Sequence, residues 1–351
     1  MQMHLIIGVL FAITVFLAFI EEYLQEFYKA AILVVYVVFM VILATTKSIE
    51  NTADALGYED MFLRNDDLLI EVVTEPSFIY ISRILLALGG TIVTLFFVYA
   101  LITIPAKMKA LYSMTPYIFT ALVIYIPVYF EVHDMIQIRA AAAAMFFLLA
   151  IFPLSEKRYI PAIMLWICAV LFHYSAICYL PFLLIGNRKL SFTWRVIVAC
   201  AVPICFAMYF LKLDLFSLIP SALTGGKLDF YKEASEAGEW DEISAPYLNL
   251  FFMTKCLVLY LCLYYYDYIV ERNRLAPILI NLFAMSICFL LSMATIPVIG
   301  GRIGDMYGVV DGIVFTFCLY IISPQYLVRT GTAICGLFMI IYNIINTEYF
   351  L

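Results

Sequence analysis

The stretch Glu131–Leu154 reads EVHDMIQIRAAAAAMFFLLAIFPL and decides the fold class. It begins with Glu131, His133, Asp134 and Arg139, and then continues for fifteen residues without a charge. An apolar run of this kind approaches the roughly 20 residues that a helix needs to cross a hydrocarbon core of about 30 Å. The stretch therefore predicts a membrane-spanning helix that begins at the polar mouth of a cavity. The alanines in its first turns have small side chains, which let a neighbouring helix or lipid chain approach closely.

The composition extends this prediction to the whole chain. Of the 351 residues, 66% are hydrophobic and 13% are charged, and the mean hydropathy is +1.02. Such values exclude a soluble fold. We predict an all-α polytopic membrane protein that forms a single integral membrane domain over residues 1–351. It would have about ten transmembrane helices, each near the length needed to cross the hydrocarbon core.

The predicted spans follow the apolar segments. They are Leu5–Ile20, Ala30–Thr46, Phe78–Ile104, Tyr117–Phe130, Ile136–Pro153, Trp194–Leu211, Tyr247–Tyr266, Ala276–Val298, Met306–Ser323 and Thr330–Ile345. The first lacks the basic region and small-residue cleavage site of a signal peptide, so we expect it to be retained. The nine cysteines lie in or beside apolar segments without paired spacing, so we expect neither disulfides nor a metal site from them.

Residues 159–186 form an ambiguous stretch, YIPAIMLWICAVLFHYSAICYLPFLLIG, that either spans once or forms a re-entrant or broken helix pair. Basic residues in short loops set the orientation of a membrane protein. A re-entrant pair places most short-loop basic residues on the cytoplasmic side, namely Lys29, Lys107, Lys109, Lys157, Arg158, Arg188, Lys189, Arg195, Arg272, Arg274 and Arg329. The re-entrant arrangement is therefore favoured, with the N-terminus outside.

This orientation places two long acidic loops on the exterior. They are residues 47–77, which we expect to contain a short helix, and residues 212–246. Loops of this length are uncommon in a compact protein unless they act as lids or binding elements.

Three arginines lie at or near the predicted outer ends of helices: Arg83, Arg139 and Arg302. A charge in or near hydrocarbon costs a few kcal/mol, so such residues usually face a wet cavity or the protein interior. Together they would suit a diphosphate, because the guanidinium fork pairs with two phosphate oxygens at once. The alternative is that each snorkels to the interface or pairs locally, Arg302 with Asp305 and Arg139 with a carboxylate of the opening motif.

Two histidines are candidates for a general base. His173 lies in LFHYSAI at the centre of the ambiguous stretch, where it acts either as a base or hydrogen-bond donor, or as a buried imidazole satisfied by its neighbours. His133 lies between Glu131 and Asp134, but this spacing matches no known ligand pattern, so we expect no metal. Lys255 also interrupts an apolar helix and either pairs internally or lines a cavity.

Known motifs exclude several classes of enzyme. The chain has no signature of a nucleotide-binding loop, a zinc protease or a serine lipase, and we expect no nucleic-acid partner. The 26 tyrosines suit both membrane interfaces and the stacking of sugar rings.

Five segments occur in the order typical of one family. They are NTADALGYEDMF, EPSFIYISRILLALGG, IQIRAAAAA, LFHYSAICYLPF and GGRIGDMYGVV, with Asp54, Tyr58 and Phe62 at fourfold spacing ahead of Glu75. In this order the chain resembles the EpsG-like branch of Wzy-type polymerases, which assemble bacterial O-antigens and exopolysaccharides. It departs from the pattern at Ser77, where the family often has glycine, and in the alanine run, which replaces more polar residues.

The resemblance implies a multispan glycosyltransferase of GT-C-like architecture that needs neither metal nor cofactor. It would transfer a growing glycan from undecaprenyl diphosphate to the non-reducing-end sugar of another lipid-linked repeat unit, at the outer face of the bacterial inner membrane. The implied partners are the undecaprenyl-diphosphate-linked donor and acceptor, the lipid bilayer and a chain-length regulator.

The resemblance also implies roles for individual residues. Arg139 and Arg302 would hold the leaving diphosphate with help from Arg83, and His173, or a carboxylate such as Glu75 or Asp54, would take the acceptor proton. The remaining expected substrate contacts are Tyr58, His133, Asp134, Lys255, Asp305 and Tyr307.

Three other functions stay open. A flippase or transporter for lipid-linked sugars would have matched broken helices in two halves, whereas Gly89-Gly90 and Gly300-Gly301 do not correspond. An O-antigen ligase would carry one large exterior loop between late spans, whereas this chain divides its loop length. An acyltransferase, or a sensor without catalysis, is compatible with the same features.

Overall fold

The structure is a computed structural model that describes residues 2–52, 54–213, 249–293 and 297–346. Within these ranges every regular element is a helix. Their contacts divide the chain into two compact units, Met1–Asn187 with Ile322–Leu351, and Arg188–Ile321.

In its described part, the first unit contains eleven α-helices and two helices of other types. The α-helices are α1 (Gln2–Ile20), α2 (Glu26–Thr45), α3 (Ala55–Leu63), α4 (Leu68–Val73), α5 (Pro76–Ala87), α6 (Ile92–Met114), α7 (Ile118–Tyr125), α8 (Ile138–Ser155), α9 (Tyr159–Phe172), α10 (Leu180–Ile185) and, near the C-terminus, α17 (Tyr326–Asn346). A π-helix over Ile126–Ile136 continues α7, and a 3₁₀-helix over Tyr174–Tyr179 joins α9 to α10.

The second unit is built from the helices between these. In its described part they are α11 (Phe192–Phe210), α12 (Leu250–Tyr264), α13 (Tyr266–Arg272), α14 (Ala276–Ser292), α15 (Pro297–Gly308) and α16 (Asp311–Ile321). Nearly all of the predicted loop 212–246 lies outside the described residues.

Seven of the described helices are long and apolar enough to cross a membrane, and nine spans result if each of two bent pairs counts as one. The bent pairs are α12 with α13, at 85°, and the end of α15 with α16, at 51°. The prediction of an all-α polytopic membrane protein is confirmed.

The predicted single span Phe78–Ile104 is wrong, because the chain forms two helices there. Gly89 has a φ of 76°, in the left-handed region that favours glycine, and a side chain at Gly90 would lie 2.9 Å from the carbonyl oxygen of Leu85. The amide of Gly90 donates to this same carbonyl at 2.8 Å, which ends α5, and Thr91 begins α6 through a capping box. The glycine pair therefore separates α5 from α6.

The predicted cytoplasmic loop around Lys107 is also wrong. Helix α6 continues to Met114, so Lys107 lies within a candidate span and its side chain is fully buried. The opening motif differs from its prediction as well: Glu131, His133 and Asp134 form turns of the buried π-helix and line no open mouth.

The ambiguous stretch is helical on both sides of His173, which is extended with φ −156° and ψ 114°. Helix α9 is 14 residues long, about 21 Å at 1.5 Å per residue, which is shorter than the hydrocarbon core. Re-entry of this stretch stays a prediction. In the first acidic loop, α3 and α4 supply the expected helical structure, and its exterior location stays a prediction.

Candidate functional site

Three segments that the sequence singled out meet at one carboxylate. Arg139 donates through Nη1 to Oε2 of Glu75, and His173 Nδ1 lies 3.0 Å from Oε1. The backbone amide of Tyr174 also donates to Oε1, at 3.2 Å. The Glu75 side chain is only 5% exposed, so the two side chains and this amide replace water around the carboxylate.

Local backbone structure explains how the three side chains converge. Glu75 is the N-cap of α5 and is extended, as expected for a residue before proline. Arg139 lies in the first turn of α8, directly after the π-helix ends. His173 lies where α9 stops, in extended backbone that turns its ring out of the helix. Each functional side chain thus lies at a helix end.

The charges of this cluster favour an ionised carboxylate. Burial alone would raise the pKa of Glu75, but the hydrogen bond with His173 and the charge of Arg139 outweigh it and lower the pKa to about 2. An ionised carboxylate can only accept hydrogen bonds, so Nδ1 of His173 carries the ring proton. In the tautomer with the proton on Nδ1, the lone pair lies on Nε2.

Aromatic rings hold the guanidinium of Arg139 from the other side. Its carbon lies 5.3 Å from the ring centre of Tyr58 and 5.7 Å from that of Phe78. Both rings belong to a buried hydrophobic cluster that also includes Phe96, Tyr99 and Ile138. Cation–π contacts and the ion pair together fix the position of this arginine.

The structure does not bring Arg83 into the Glu75 cluster. Its Nη2 atom bonds Glu71 at 3.0 Å and the carbonyl oxygen of Asn65 at 3.0 Å, and its Nε atom lies 3.4 Å from Asp66. Local pairing thus accounts for Arg83. Asp54 is exposed at the start of α3, in left-handed backbone with φ 63°.

The predicted residues of the opening motif form separate buried contacts. Asp134 forms an ion pair with Lys107, whose Nζ atom lies 2.5 Å away, and it accepts hydrogen bonds from the Tyr125 hydroxyl at 2.8 Å and from Thr103 at 3.4 Å. His133 is 1% exposed. These contacts join α6, α7 and the π-helix inside the first unit.

Glu131 makes a different set of contacts. It accepts a hydrogen bond from Asn343 of α17 at 2.9 Å, and its other oxygen lies 3.6 Å from Nδ1 of His4. The pairing of Arg139 with a carboxylate of the opening motif does not occur, because Arg139 is paired with Glu75.

Sequence reasoning missed Lys47 as a buried group. Its ammonium donates to the carbonyl oxygen of Met135 and lies 4.0 Å from the ring centre of Phe96. Burial lowers its pKa to about 7, and the charges of Asp54 and Asp134 oppose this shift. The signal in the sequence was a lysine directly after a span and only seven residues before Asp54.

The second unit contains another buried ion pair. Lys255 lies 2.6 Å from Asp311 and donates to the Ser286 hydroxyl at 2.9 Å. The ring of Tyr307 stacks on Phe289, with centres 5.2 Å apart. Lys255, one of the expected substrate contacts, thus pairs internally.

Arg302 is the exception among the predicted arginines. It is half-buried on α15, and it forms no hydrogen bond or ion pair with any residue in the described ranges. In particular, it does not pair with Asp305 three residues later.

The described residues hold no group of three histidine, cysteine or acidic side chains that could bind a metal ion. They form a polytopic helical membrane protein in which Glu75, His173 and Arg139 meet at the ends of three helices. The chain belongs to the EpsG family, whose model matches residues 30–350. Membership confirms the resemblance and indicates a function of the polysaccharide polymerase type. Neither the curated proteins nor the solved structures contain a match.

Proposed function

We propose that this protein lengthens a surface polysaccharide. It transfers a growing glycan from undecaprenyl diphosphate to the non-reducing-end sugar of another undecaprenyl-diphosphate-linked repeat unit, at the outer face of the bacterial inner membrane. The observation that carries the proposal is the cluster of Glu75, Arg139 and His173, because it joins a base to a fixed cation in a chain of the EpsG family.

In this proposal His173 is the general base. Glu75 accepts a hydrogen bond from the Nδ1–H group and so keeps the lone pair on Nε2, where it can take the proton of an acceptor hydroxyl. The His173 side chain is 17% exposed, so a substrate can approach it. Glu75 acts through His173 and is a positioning residue, which refines its predicted role as a base.

The arginines act on the leaving group. Breaking the glycosidic bond leaves negative charge on undecaprenyl diphosphate, and prearranged cations favour this charge more in the transition state than in the ground state. Arg302, which has no ion partner among the described residues, is the second arginine proposed for this task. Arg139 is held by Glu75 and by Tyr58, which fixes its guanidinium in place for this task. The reaction as proposed needs no metal or cofactor.

Variants at these residues test the proposal in cells that lack the native copy. We expect His173→Ala, Arg139→Ala and Arg302→Ala to reduce the surface polysaccharide to single repeat units, at unchanged amounts of protein in the membrane. Arg64→Ala is the matched control, because Arg64 is exposed and its ion pairs in the described ranges are with Asp60 and Asp67 of its own loop. It should leave polymer length unchanged.

The same experiment separates the rival functions. Loss of a flippase would stop repeat units from reaching the surface, and loss of a ligase would leave finished polymer on its lipid carrier. Full-length polymer in both arginine variants would overturn the assigned roles of Arg139 and Arg302.

A further inference from the structure

The second unit contains a groove between α11 and α12. Its volume is about 580 Å³, within the range of about 300–1,000 Å³ that is typical of ligand pockets. On α11 the lining residues lie between Phe192 and Ala199, and on α12 between Leu257 and Tyr264. Each stretch covers about two helical turns, so the groove is about 10 Å long. Its lining side chains are apolar or aromatic except that of Arg195.

The walls of the groove belong to membrane helices. Helix α11 is a candidate span, and α12 forms one together with α13. Lining side chains such as Val196, Leu257 and Tyr264 are exposed in the described structure. The hydroxyl of Tyr260 donates to the carbonyl oxygen of Ala199 at 3.0 Å, which joins the two walls. An apolar groove between two spans faces hydrocarbon, so a lipid chain is the ligand that matches its walls.

One end of the groove is basic. Nη1 of Arg195 lies 3.0 Å from one oxygen of Asp267, and Nζ of Lys189 lies 3.4 Å from the other. Two cations therefore share one carboxylate. The segments that these contacts bring together, residues 188–195 and 264–274, carry five basic and two acidic residues. The net positive charge at this end matches a lipid phosphate, since basic clusters beside membrane helices attract anionic lipids.

Arg195 joins the basic end to the apolar walls. Its guanidinium carbon lies 5.1 Å from the ring centre of Tyr266 and 6.0 Å from that of Phe192, a residue of the groove. These aromatic contacts hold the guanidinium in place. Its Nε atom is buried and forms no hydrogen bond with the described residues, whereas a guanidinium pairs with a phosphate through two N–H groups at once. Asp267 thus leaves this arginine incompletely paired.

We propose that the groove binds one anionic phospholipid, with its phosphate at Arg195 and Lys189 and the first part of an acyl chain between α11 and α12. The proposed polymerase reaction does not use this site. Tyr264 lies at the basic end, as expected of a tyrosine at the level of the lipid head groups. The predicted orientation places this end on the cytoplasmic side, away from the proposed exterior reaction, which favours a phospholipid over undecaprenyl diphosphate as the occupant.

Arg195→Gln tests the charged end of the groove. The purified full-length protein in detergent is titrated with phosphatidylglycerol, which is anionic, and with phosphatidylcholine, which is zwitterionic. Native mass spectrometry counts the bound lipids. We expect the wild type to bind one phosphatidylglycerol in preference to phosphatidylcholine, and Arg195→Gln to bind it about fivefold more weakly, the effect of one basic residue beside an anionic lipid. Asp267 keeps Lys189 as a partner in this variant, so the fold should be retained.

Val196→Trp tests the apolar walls without a change in charge. Val196 lines the groove and is exposed, so the larger ring should fill the space of the acyl chain and weaken the binding of phosphatidylglycerol. Ile197→Trp is the matched control, because Ile197 is equally exposed on the same turn but lies outside the groove. It should bind phosphatidylglycerol as the wild type does. If Arg195→Gln fails to fold, this pair of variants decides the question.

Several results would overturn the proposal. Equal affinity of the wild type for the two phospholipids would show that the lipid charge is not recognised, and equal affinity of Val196→Trp and Ile197→Trp would show that the groove is not the site. Inorganic phosphate that displaces the bound lipid at the same concentration would indicate a site for the free anion. If Arg195→Gln weakens binding of bare undecaprenyl diphosphate instead, the groove holds the polymerase substrate and the phospholipid assignment is wrong.

Discussion

At the scale of single residues, the Glu75 carboxylate controls the charge balance of the site. It is the only described acidic group in contact with either Arg139 or His173. Without it, a largely buried guanidinium would have no ion partner and the imidazole would have no group to select its tautomer. One side chain therefore supports both the fold and the proposed chemistry.

Glu75→Gln tests this double role, because it keeps the size of the side chain and removes its charge. We expect polymer formation to fall about 100-fold, the usual scale for a general base that is lost or misdirected, and the free energy of unfolding to fall by about 3 kcal/mol, as when one partner of a buried ion pair is removed. Polymer length and thermal unfolding measure the two effects. Unchanged polymer in Glu75→Gln would contradict the role of this carboxylate.

The pH dependence of stability gives an independent check on Glu75. The pKa of the carboxyl is lowered from 4.5 to about 2 in the folded protein, so its ionisation stabilises the fold fully above pH 4.5. This contribution is lost as the pH falls from 4.5 to about 2. Glu75→Gln should lack that part of the acid-induced loss of stability.

The charge of Lys47, unlike that of Glu75, destabilises the fold. Burial lowers its pKa from 10.5 to about 7, so below pH 7 the folded state bears the full cost of charging it. As the pH rises from 7 to 10.5, the unfolded state binds more protons than the folded state, and stability increases. We expect Lys47→Met to be more stable than the wild type at pH 7, by about 1–3 kcal/mol, and to lose this rise between pH 7 and 10.5 in thermal unfolding. If the stability of Lys47→Met rose between pH 7 and 10.5 as steeply as that of the wild type, the lowered pKa of Lys47 would be contradicted.

Part of the candidate site was predictable at this scale. Arg139 and His173 were identified because a polar group within or beside an apolar run is costly unless it has a role, and Glu75 because the family resemblance implied a carboxylate there. That they meet was not predictable, because Glu75 and His173 are 98 residues apart and nothing in the local sequence encodes this contact. Lys47 was missed for the same reason, since its burial depends on α6 and the π-helix.

At the scale of elements, the presence of helices is apparent from the sequence, but their ends are less so. The span Phe78–Ile104 was predicted as one helix because its mean apolarity outweighs two glycines, although adjacent glycines are a known helix terminator. The π-helix Ile126–Ile136 has no compositional signature, so it is seen in the structure but could not be predicted from the sequence. Such segments often occur at functional sites.

The buried pair of Lys107 and Asp134 ties α6 to the π-helix and provides a prediction for this element. Lys107→Met leaves Asp134 buried with only Tyr125 and Thr103 as partners, and should cost about 3–5 kcal/mol. The double variant Lys107→Met/Asp134→Asn removes both charges and should recover most of this loss, because a buried ion pair often has little net value compared with neutral side chains. Denaturation of the two variants and of Asp134→Asn completes a double-mutant cycle. A double variant as unstable as Lys107→Met would contradict this account.

At the scale of the whole molecule, the composition sufficed for the class of fold, because a chain this apolar must satisfy its backbone groups within helices in the membrane. The number of spans was less accessible. Helices such as α13 and α15 are shorter than a span. Each reaches the length of a span only when it is counted with its bent neighbour, α12 for α13 and α16 for α15. The direction of every later segment therefore depends on how the stretch 159–186 is arranged.

The sidedness of that stretch is decided by two positions that flank it. Lys157 and Arg188 are both exposed, and they lie on the same side of the membrane if the stretch re-enters, or on opposite sides if it crosses. We expect Lys157→Cys and Arg188→Cys both to react with a membrane-impermeant maleimide only after cells are permeabilised, since the basic residues of both loops favour the cytoplasm. Asp60→Cys in the first acidic loop should react in intact cells, and the unsubstituted chain, with its nine native cysteines, sets the background. Labelling of Arg188→Cys but not Lys157→Cys in intact cells would show that the stretch crosses, and it would move the second acidic loop to the cytoplasm.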